Sequence, residues 1–129
     1  MGPVPDYPMA KKKIMLIDDD PNVRHVVGDF LADKGYLICE AADGLEGLDL
    51  IPKEKPNLIL LDVVMPKLNG LETLKKISEL HPNVVVIILT GLNEIETAKQ
   101  AIRLGACNYI TKPINLETLH REFIKRILG

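Results

Sequence analysis

Short apolar runs without alternation punctuate this chain, and most are followed by a stretch whose apolar positions recur every three or four residues. Ile14-Met15-Leu16-Ile17, Leu58-Ile59-Leu60-Leu61 and Val84 through Leu89 are too brief for helices and too uniformly apolar for half-exposed strands. They read as strands covered on both faces, as in a parallel sheet. A shorter strand is predicted from Tyr36 to about Ala41, and another near Cys107 to Ile110. Between them, Asp20-Pro21 provides an N-cap acceptor and a proline at the first helical position. Val23, Val26, Val27, Phe30 and Leu31 follow as one apolar stripe, which Gly35 terminates.

Asp43-Gly44 introduces a weaker helix carrying Leu45 and Leu48, expected to break between Pro52 and Pro56. Leu71, Leu74 and Ile77 mark a third helix, ending before His81-Pro82. A fourth covers about Glu94 to Leu104, and the last carries Leu116, Leu119, Phe123, Ile124, Ile127 and Leu128. Strands alternating with helices five times predict a (βα)5 α/β fold, a doubly wound parallel sheet of flavodoxin-like order 2-1-3-4-5. Ligands of such sheets bind at the carboxyl ends of the strands, where the order reverses, here between strands 1 and 3.

The polar residues choose the same edge. Asp18-Asp19-Asp20 ends strand 1, Asp62 ends strand 3, Thr90-Gly91 ends strand 4 and Lys112-Pro113 follows strand 5. An acidic cluster, a hydroxyl and an ammonium thus converge on one rim. That set suits a carboxylate that takes a phosphoryl group beside a divalent cation.

Composition narrows the field without deciding it. At 129 residues, 47% hydrophobic and 26% charged, the chain fits one globular domain. A net charge of -2 gives no electrostatic reason to expect nucleic acid or an anionic membrane as partner, and Lys11-Lys12-Lys13 reads as a solvated flank. No apolar stretch approaches the ~20 residues that span a bilayer, and the start lacks the features of a secretory signal. A reducing cytoplasm is the expected setting. Pro3, Pro5 and Pro8 mark residues 1–11 as an extended, disordered lead-in to a domain over 12–129. Cys39 and Cys107 read as buried reduced thiols. The strand order separates them by four strand intervals of ~4.8 Å, beyond the ~7 Å between Cα atoms that a disulfide tolerates. His25, His81 and His120 have no partners at ligand spacing and read as surface or helix-end residues.

Four segments in this order, Leu16-Ile17-Asp18-Asp19-Asp20-Pro21, Leu61-Asp62-Val63-Val64-Met65-Pro66 through Gly70, Leu89-Thr90-Gly91 and Tyr109-Ile110-Thr111-Lys112-Pro113, resemble the receiver domain of two-component response regulators, in its chemotaxis-regulator-like form. The likeness runs from about Lys13 to Leu128. It implies that Asp62 accepts a phosphoryl group from a sensor histidine kinase or histidine phosphotransfer protein. It also implies Mg²⁺ held by Asp19, Asp62 and the main-chain carbonyl of Val64, with Asp18 acting through water. Lys112 would pair with a phosphoryl oxygen and Thr90 would donate to another, and the Lys112-Pro113 bond would be cis.

Thr90 and Tyr109 would then form the switch, repacking the helix 4, strand 5, helix 5 surface toward a downstream output domain or protein, with dimerisation on phosphorylation a further option. Helix 1 is the expected kinase-docking surface. Val64 and Leu92, both apolar, imply slow self-dephosphorylation, because neither can orient a water. Such a domain is not an enzyme in its own right, since it catalyses only its own phosphorylation and dephosphorylation.

Each residue also has a plainer use. Asp18 to Asp20 can serve as a helix start, Asp62 as a turn residue, Thr90 as a β-branched strand end, Lys112 as a surface cation and Tyr109 as a packing aromatic. Two other functions therefore stay open: a pseudo-receiver that binds partners without phosphorylation, and an aspartate-nucleophile phosphatase. The phosphatase would want a second carboxylate two residues after Asp62, where Val64 stands. Flavodoxin-type cofactor binding is disfavoured by the acidic loop after strand 1, and no P-loop is present.

Overall fold

The structure, a computed structural model, describes residues 11–63, 69–91 and 93–129. Five parallel strands, β1 (Lys13–Ile17), β2 (Leu37–Ala41), β3 (Leu58–Asp62), β4 (Val85–Thr90) and β5 (Asn108–Thr111), form one sheet in the order β2-β1-β3-β4-β5. The helices between them are α1 (Pro21–Asp33), α2 (Gly44–Glu54), α3 (Gly70–Leu80) and α4 (Ile95–Arg103). After β5 the chain forms α5 (Leu116–Thr118), a π-helical stretch over Leu119–Ile124, and α6 (Lys125–Leu128), consecutive along the sequence. Residues 1–10 lie outside the described residues, and so does nearly all of the expected lead-in.

The apolar runs owe their lack of alternation to two cores. Met15, Ile17, Ile59, Leu61, Val86 and Ile88 pack on one face with Ile51 of α2, Leu74 and Ile77 of α3 and Ala101 of α4. Ile14, Leu16, Leu58, Leu60, Ile87 and Leu89 pack on the other with Val27 and Leu31 of α1 and with Leu119 and Ile124. A strand sandwiched this way has no polar face to show.

Helix boundaries follow local chemistry. Asp20 caps α1, its side chain accepting from the Asn22 amide at 2.9 Å, with Pro21 at the first position. Gly35, at φ 100°, ends it as expected. Helix α2 ends at Glu54, between Pro52 and Pro56 as expected, with Pro52 itself still inside the helix. Near the C-terminus a proline removes one hydrogen bond, the one to Leu48, and burial of Ile51 outweighs that loss. The stop comes at Lys55, which adopts the left-handed conformation at φ 51° while its amide still reaches the Ile51 carbonyl at 2.8 Å.

The last helix widens for a packing reason. Leu119 and Ile124 are both fully buried, yet five residues apart. On a regular α-helix such a pair is separated by about 140° around the axis. The wider π turn over Leu119–Ile124 brings both onto the sheet-facing side.

Exposure corrects the reading of both cysteines. Val26, in the α1 stripe but also on the expected docking surface, is 55% exposed. Cys107 is exposed and Cys39 half-buried, so the two thiols are not both core residues, although both are free and their strands stand at opposite edges. Burial and the nearby Glu54 push the Cys39 thiol up to about 11, against the opposing pull of Lys13.

Candidate functional site

Strand register assembles the site. Ile17 pairs with both Ala41 and Leu61, so Asp18 and Asp62 leave the ends of β1 and β3 side by side. Thr90 pairs with Thr111, and the Lys112 amide extends that ladder to the Thr90 carbonyl at 2.7 Å. The four sequence signals therefore share one rim.

Asp18 and Asp62 are 2% and 5% exposed, whereas Asp19 faces solvent. Each of the three offers a carboxylate oxygen within 4.8 Å of the others. The Lys112 ammonium sits 3.4 Å from one oxygen of Asp18 and 3.4 Å from one oxygen of Asp62. Burial presses its pKa down, but the charges of Asp62 and Asp18 and the hydrogen bonds to them prevail, so it lies above its ordinary 10.5. Crowded carboxylates with one cation between them form a site built for a further positive charge. Hard oxygen donors of this number and spacing fit Mg²⁺, which is held by few carboxylates and keeps several waters.

Asp18 is held at every polar atom. One side-chain oxygen accepts from the Asp20 amide at 2.9 Å and the other faces Lys112. Its amide donates to the Ala41 carbonyl at 3.2 Å, and its carbonyl accepts from Arg24 at 2.6 Å.

Thr90 is fully buried, its hydroxyl 3.3 Å from the carbonyl oxygens of both Gly91 and Glu94. The hydroxyl thus donates into the loop that follows β4. Tyr109 is half-buried and packs against the core cluster to which Ala101 of α4 belongs. It pairs with Ile88, two residues before Thr90. Val64, whose carbonyl is the third expected ligand, and Leu92 lie outside the described residues. The Lys112-Pro113 bond is cis, as the resemblance implies.

Gly70, the first residue of α3, lies against the end of β3. Its amide donates to the Val63 carbonyl at 3.0 Å, and a Cβ there would run into the Val63 Cα and reach the Asp62 carbonyl oxygen at 2.6 Å. Asn69 caps α3 by accepting from the Glu72 amide at 2.9 Å, while its own amide group returns to the Glu72 carboxylate at 3.2 Å. The sequence reading passed over Asn69, although Asn-x-x-Glu before an apolar helix is a start signal. It also passed over Arg24 and Glu40, which meet across 16 positions of sequence at 3.1 Å.

Beside this rim, Asn22, Val23, Val26, Val27, Pro113 and Ile114 help line an open cavity of about 350 Å³ that Lys112 also reaches. It gives the exposed Val26 a context outside the core.

His120, expected as a surface or helix-end residue, is partly buried and has a partner. Its Nε2 lies 3.1 Å from the Tyr36 hydroxyl, with the rings edge to face at 5.6 Å. Burial, then Lys34 and Lys125, lower its pKa from the ordinary 6.5, against the pull of Glu117. Lys34 caps α1 and Lys125 belongs to the last turn of α6, where cations offset the helix dipoles. The unfolded chain therefore takes up the proton before the folded one, so stability is full above pH 6.5 and falls as pH drops through the lowered folded value. Urea unfolding between pH 7.5 and 5 should show that decline flattened in His120→Gln; an unchanged slope would contradict it.

Comparison with known proteins fits this geometry. A family model for the response regulator receiver domain matches residues 14–124. Sporulation initiation phosphotransferase F of Bacillus subtilis is 33% identical over 120 residues, covering 93% of this chain and 96% of that protein. The probable C4-dicarboxylate response regulator DctR of the same organism is 40% identical over 121 residues, covering 91% of this chain but 54% of DctR. Among solved structures, the receiver domain of NtrX from Brucella abortus superposes with a TM-score of 0.84 at 34% identity, covering 89% of this chain and 97% of that one. Vibrio cholerae chemotaxis protein CheY4 gives 0.85 at 31% identity, covering 92% and 100%. With the sheet order, the acidic rim and its lysine all in place, the chain belongs to the family of response regulator receiver domains.

Proposed function

We propose that this domain accepts a phosphoryl group on Asp62 and uses the modified rim as a signalling switch. The observation that carries the reading is the buried pair Asp18 and Asp62 with the Lys112 ammonium 3.4 Å from both. In the transfer, an Asp62 oxygen forms a bond to phosphorus as the bond from phosphorus to the donor's imidazole nitrogen breaks. The imidazole leaves with the electron pair and takes up a proton. Asp19, Asp62 and the Val64 carbonyl would hold Mg²⁺, with Asp18 reaching it through water. When bound, the ion supplies positive charge that lets carboxylate and phosphoryl oxygens approach. Lys112 swings its ammonium to a phosphoryl oxygen, and Thr90 turns its hydroxyl from the loop carbonyls to another.

Phosphorylation adds about two negative charges to an already acidic rim. Thr90 and Tyr109 would transmit that change to the face formed by α4, β5 and the last helix, where Ile95 and Ile102 are exposed. The cavity beside α1 suits the sensor histidine kinase or histidine phosphotransfer protein, because it reaches Lys112 and offers Val26 as an apolar contact. Output then passes to a downstream domain or protein, in the cytoplasm. Among the described residues no helix is long and apolar enough to cross a membrane. Enzymatic activity is limited to the domain's own phosphoryl chemistry.

Incubation with acetyl phosphate, followed by intact mass, tests the reading. One phosphoryl adduct should form with Mg²⁺ and none with a chelator present. The adduct should outlast donor removal, and an unchanged lifetime in Val64→Asn would contradict slow hydrolysis set by the apolar side chain there. No adduct under any condition would favour the phosphorylation-independent pseudo-receiver.

A further inference from the structure

We propose that Arg24 is a positioning residue for the metal-binding rim, tying the Asp18 turn to strand β2 through Glu40. The inference rests on the Mg²⁺ reading above and deepens it. Arg24 lies on the first turn of α1, yet its guanidinium turns back to β1 instead of out to solvent. One Nη1–H donates to the Asp18 main-chain carbonyl at 2.6 Å, and Nε donates to Glu40 at 3.1 Å. The side chain is 17% exposed, while Glu40 stands on the edge strand at 47%.

Strand β2 therefore grips Asp18 from two directions. The Ala41 carbonyl takes the Asp18 amide directly at 3.2 Å, and the adjacent Glu40 holds the Asp18 carbonyl through Arg24. A planar guanidinium with donors at fixed angles can bridge a carbonyl and a carboxylate at once, which an ammonium cannot do with the same orientation. With its carbonyl and amide both fixed, Asp18 can aim one side-chain oxygen at Asp20 and the other at Lys112. The backbone that carries Asp19 then enters the site at a set angle. Groups behind metal-binding carboxylates commonly govern affinity in this way.

Charge and position predict opposite signs, which makes the role separable. If Arg24 acted only as a cation near the rim, removing it would strengthen Mg²⁺ binding. If it orients the turn, removing it weakens binding. The test titrates Mg²⁺ into the protein without phosphodonor, following backbone amide shifts of residues 18–20 by NMR, with urea unfolding as the check on folding.

Arg24→Met should weaken Mg²⁺ affinity about 10-fold or more, and Arg24→Lys should recover part of it. The double variant Arg24→Met with Glu40→Gln removes both charges together and should stay weak. Glu40→Ala, at an exposed strand position, leaves Arg24 in place and should weaken binding by a smaller factor, so the proposal stays testable if Arg24→Met fails to fold. Unchanged or tighter binding in the Arg24 variants, or in Glu40→Ala where only that variant folds, overturns it. Wild-type protein that binds no Mg²⁺ would overturn the metal reading and this inference with it.

Discussion

Replacing Lys112 with alanine is expected to slow adduct formation by about 100-fold or more, the usual consequence of removing one preorganised donor from a charged transition state. The ammonium stands 3.4 Å from both Asp18 and Asp62, so the substitution leaves two buried carboxylates facing each other without it. Its side chain is 32% exposed, which screens the pair. The stability cost should accordingly be about 1–3 kcal/mol rather than that of a fully buried broken pair. Because the Lys112 pKa is raised, its contribution is complete below 10.5 and is lost only as pH climbs through the higher folded value. Intact-mass time courses and urea unfolding at pH 7 measure the two effects. An adduct rate within threefold of wild type would show that Lys112 is a structural counter-ion alone.

Gly70→Ala is expected to cost about 3 kcal/mol, near the upper range for forced overpacking. The reason is what the new Cβ would meet: the Val63 Cα and the Asp62 carbonyl oxygen, both backbone and neither able to rotate away. The start of α3 meets the end of β3 at that point, tied by the hydrogen bond from Gly70 to the Val63 carbonyl. Relief of the clash must move either α3 or the segment that bears Asp62. A lower urea midpoint with an unchanged denaturant slope would locate the effect in the folded state. Adduct formation should slow as well, since the displaced backbone belongs to Asp62, the proposed phosphoacceptor. A loss below about 1 kcal/mol, the centre of ordinary substitutions, would contradict this close approach.

Strand order and the converging rim were legible in the sequence because they are carried by local signals with long-range consequences. Leu58 to Leu61 could only be covered on both faces, and a charged residue directly after such a run must lie at a strand end. The rest depended on relations that no local pattern encodes. The end of α2 was legible only to within the segment from Pro52 to Pro56, because Pro52 costs a single bond near a terminus and is tolerated inside the helix. The partner of His120 was not legible because Tyr36 lies 84 positions away and meets it only once α1 and the last helix share a face. Arg24 and Glu40 were unremarkable as sequence, since a surface helix and an edge strand both carry charges routinely. Their pairing depends on β2 lying next to β1, which brings the Glu40 side chain within reach of the α1 start. Cys107 was read as buried from its apolar neighbours, but it precedes β5 and is exposed.

The most direct test of the phosphoacceptor role is peptide-level mass analysis of wild-type protein and Asp62→Asn, both incubated with acetyl phosphate and Mg²⁺. One phosphoryl group on the peptide containing Asp62, absent in the variant, is the predicted result. An adduct on another residue, or one that survives Asp62→Asn at the wild-type level, would contradict it.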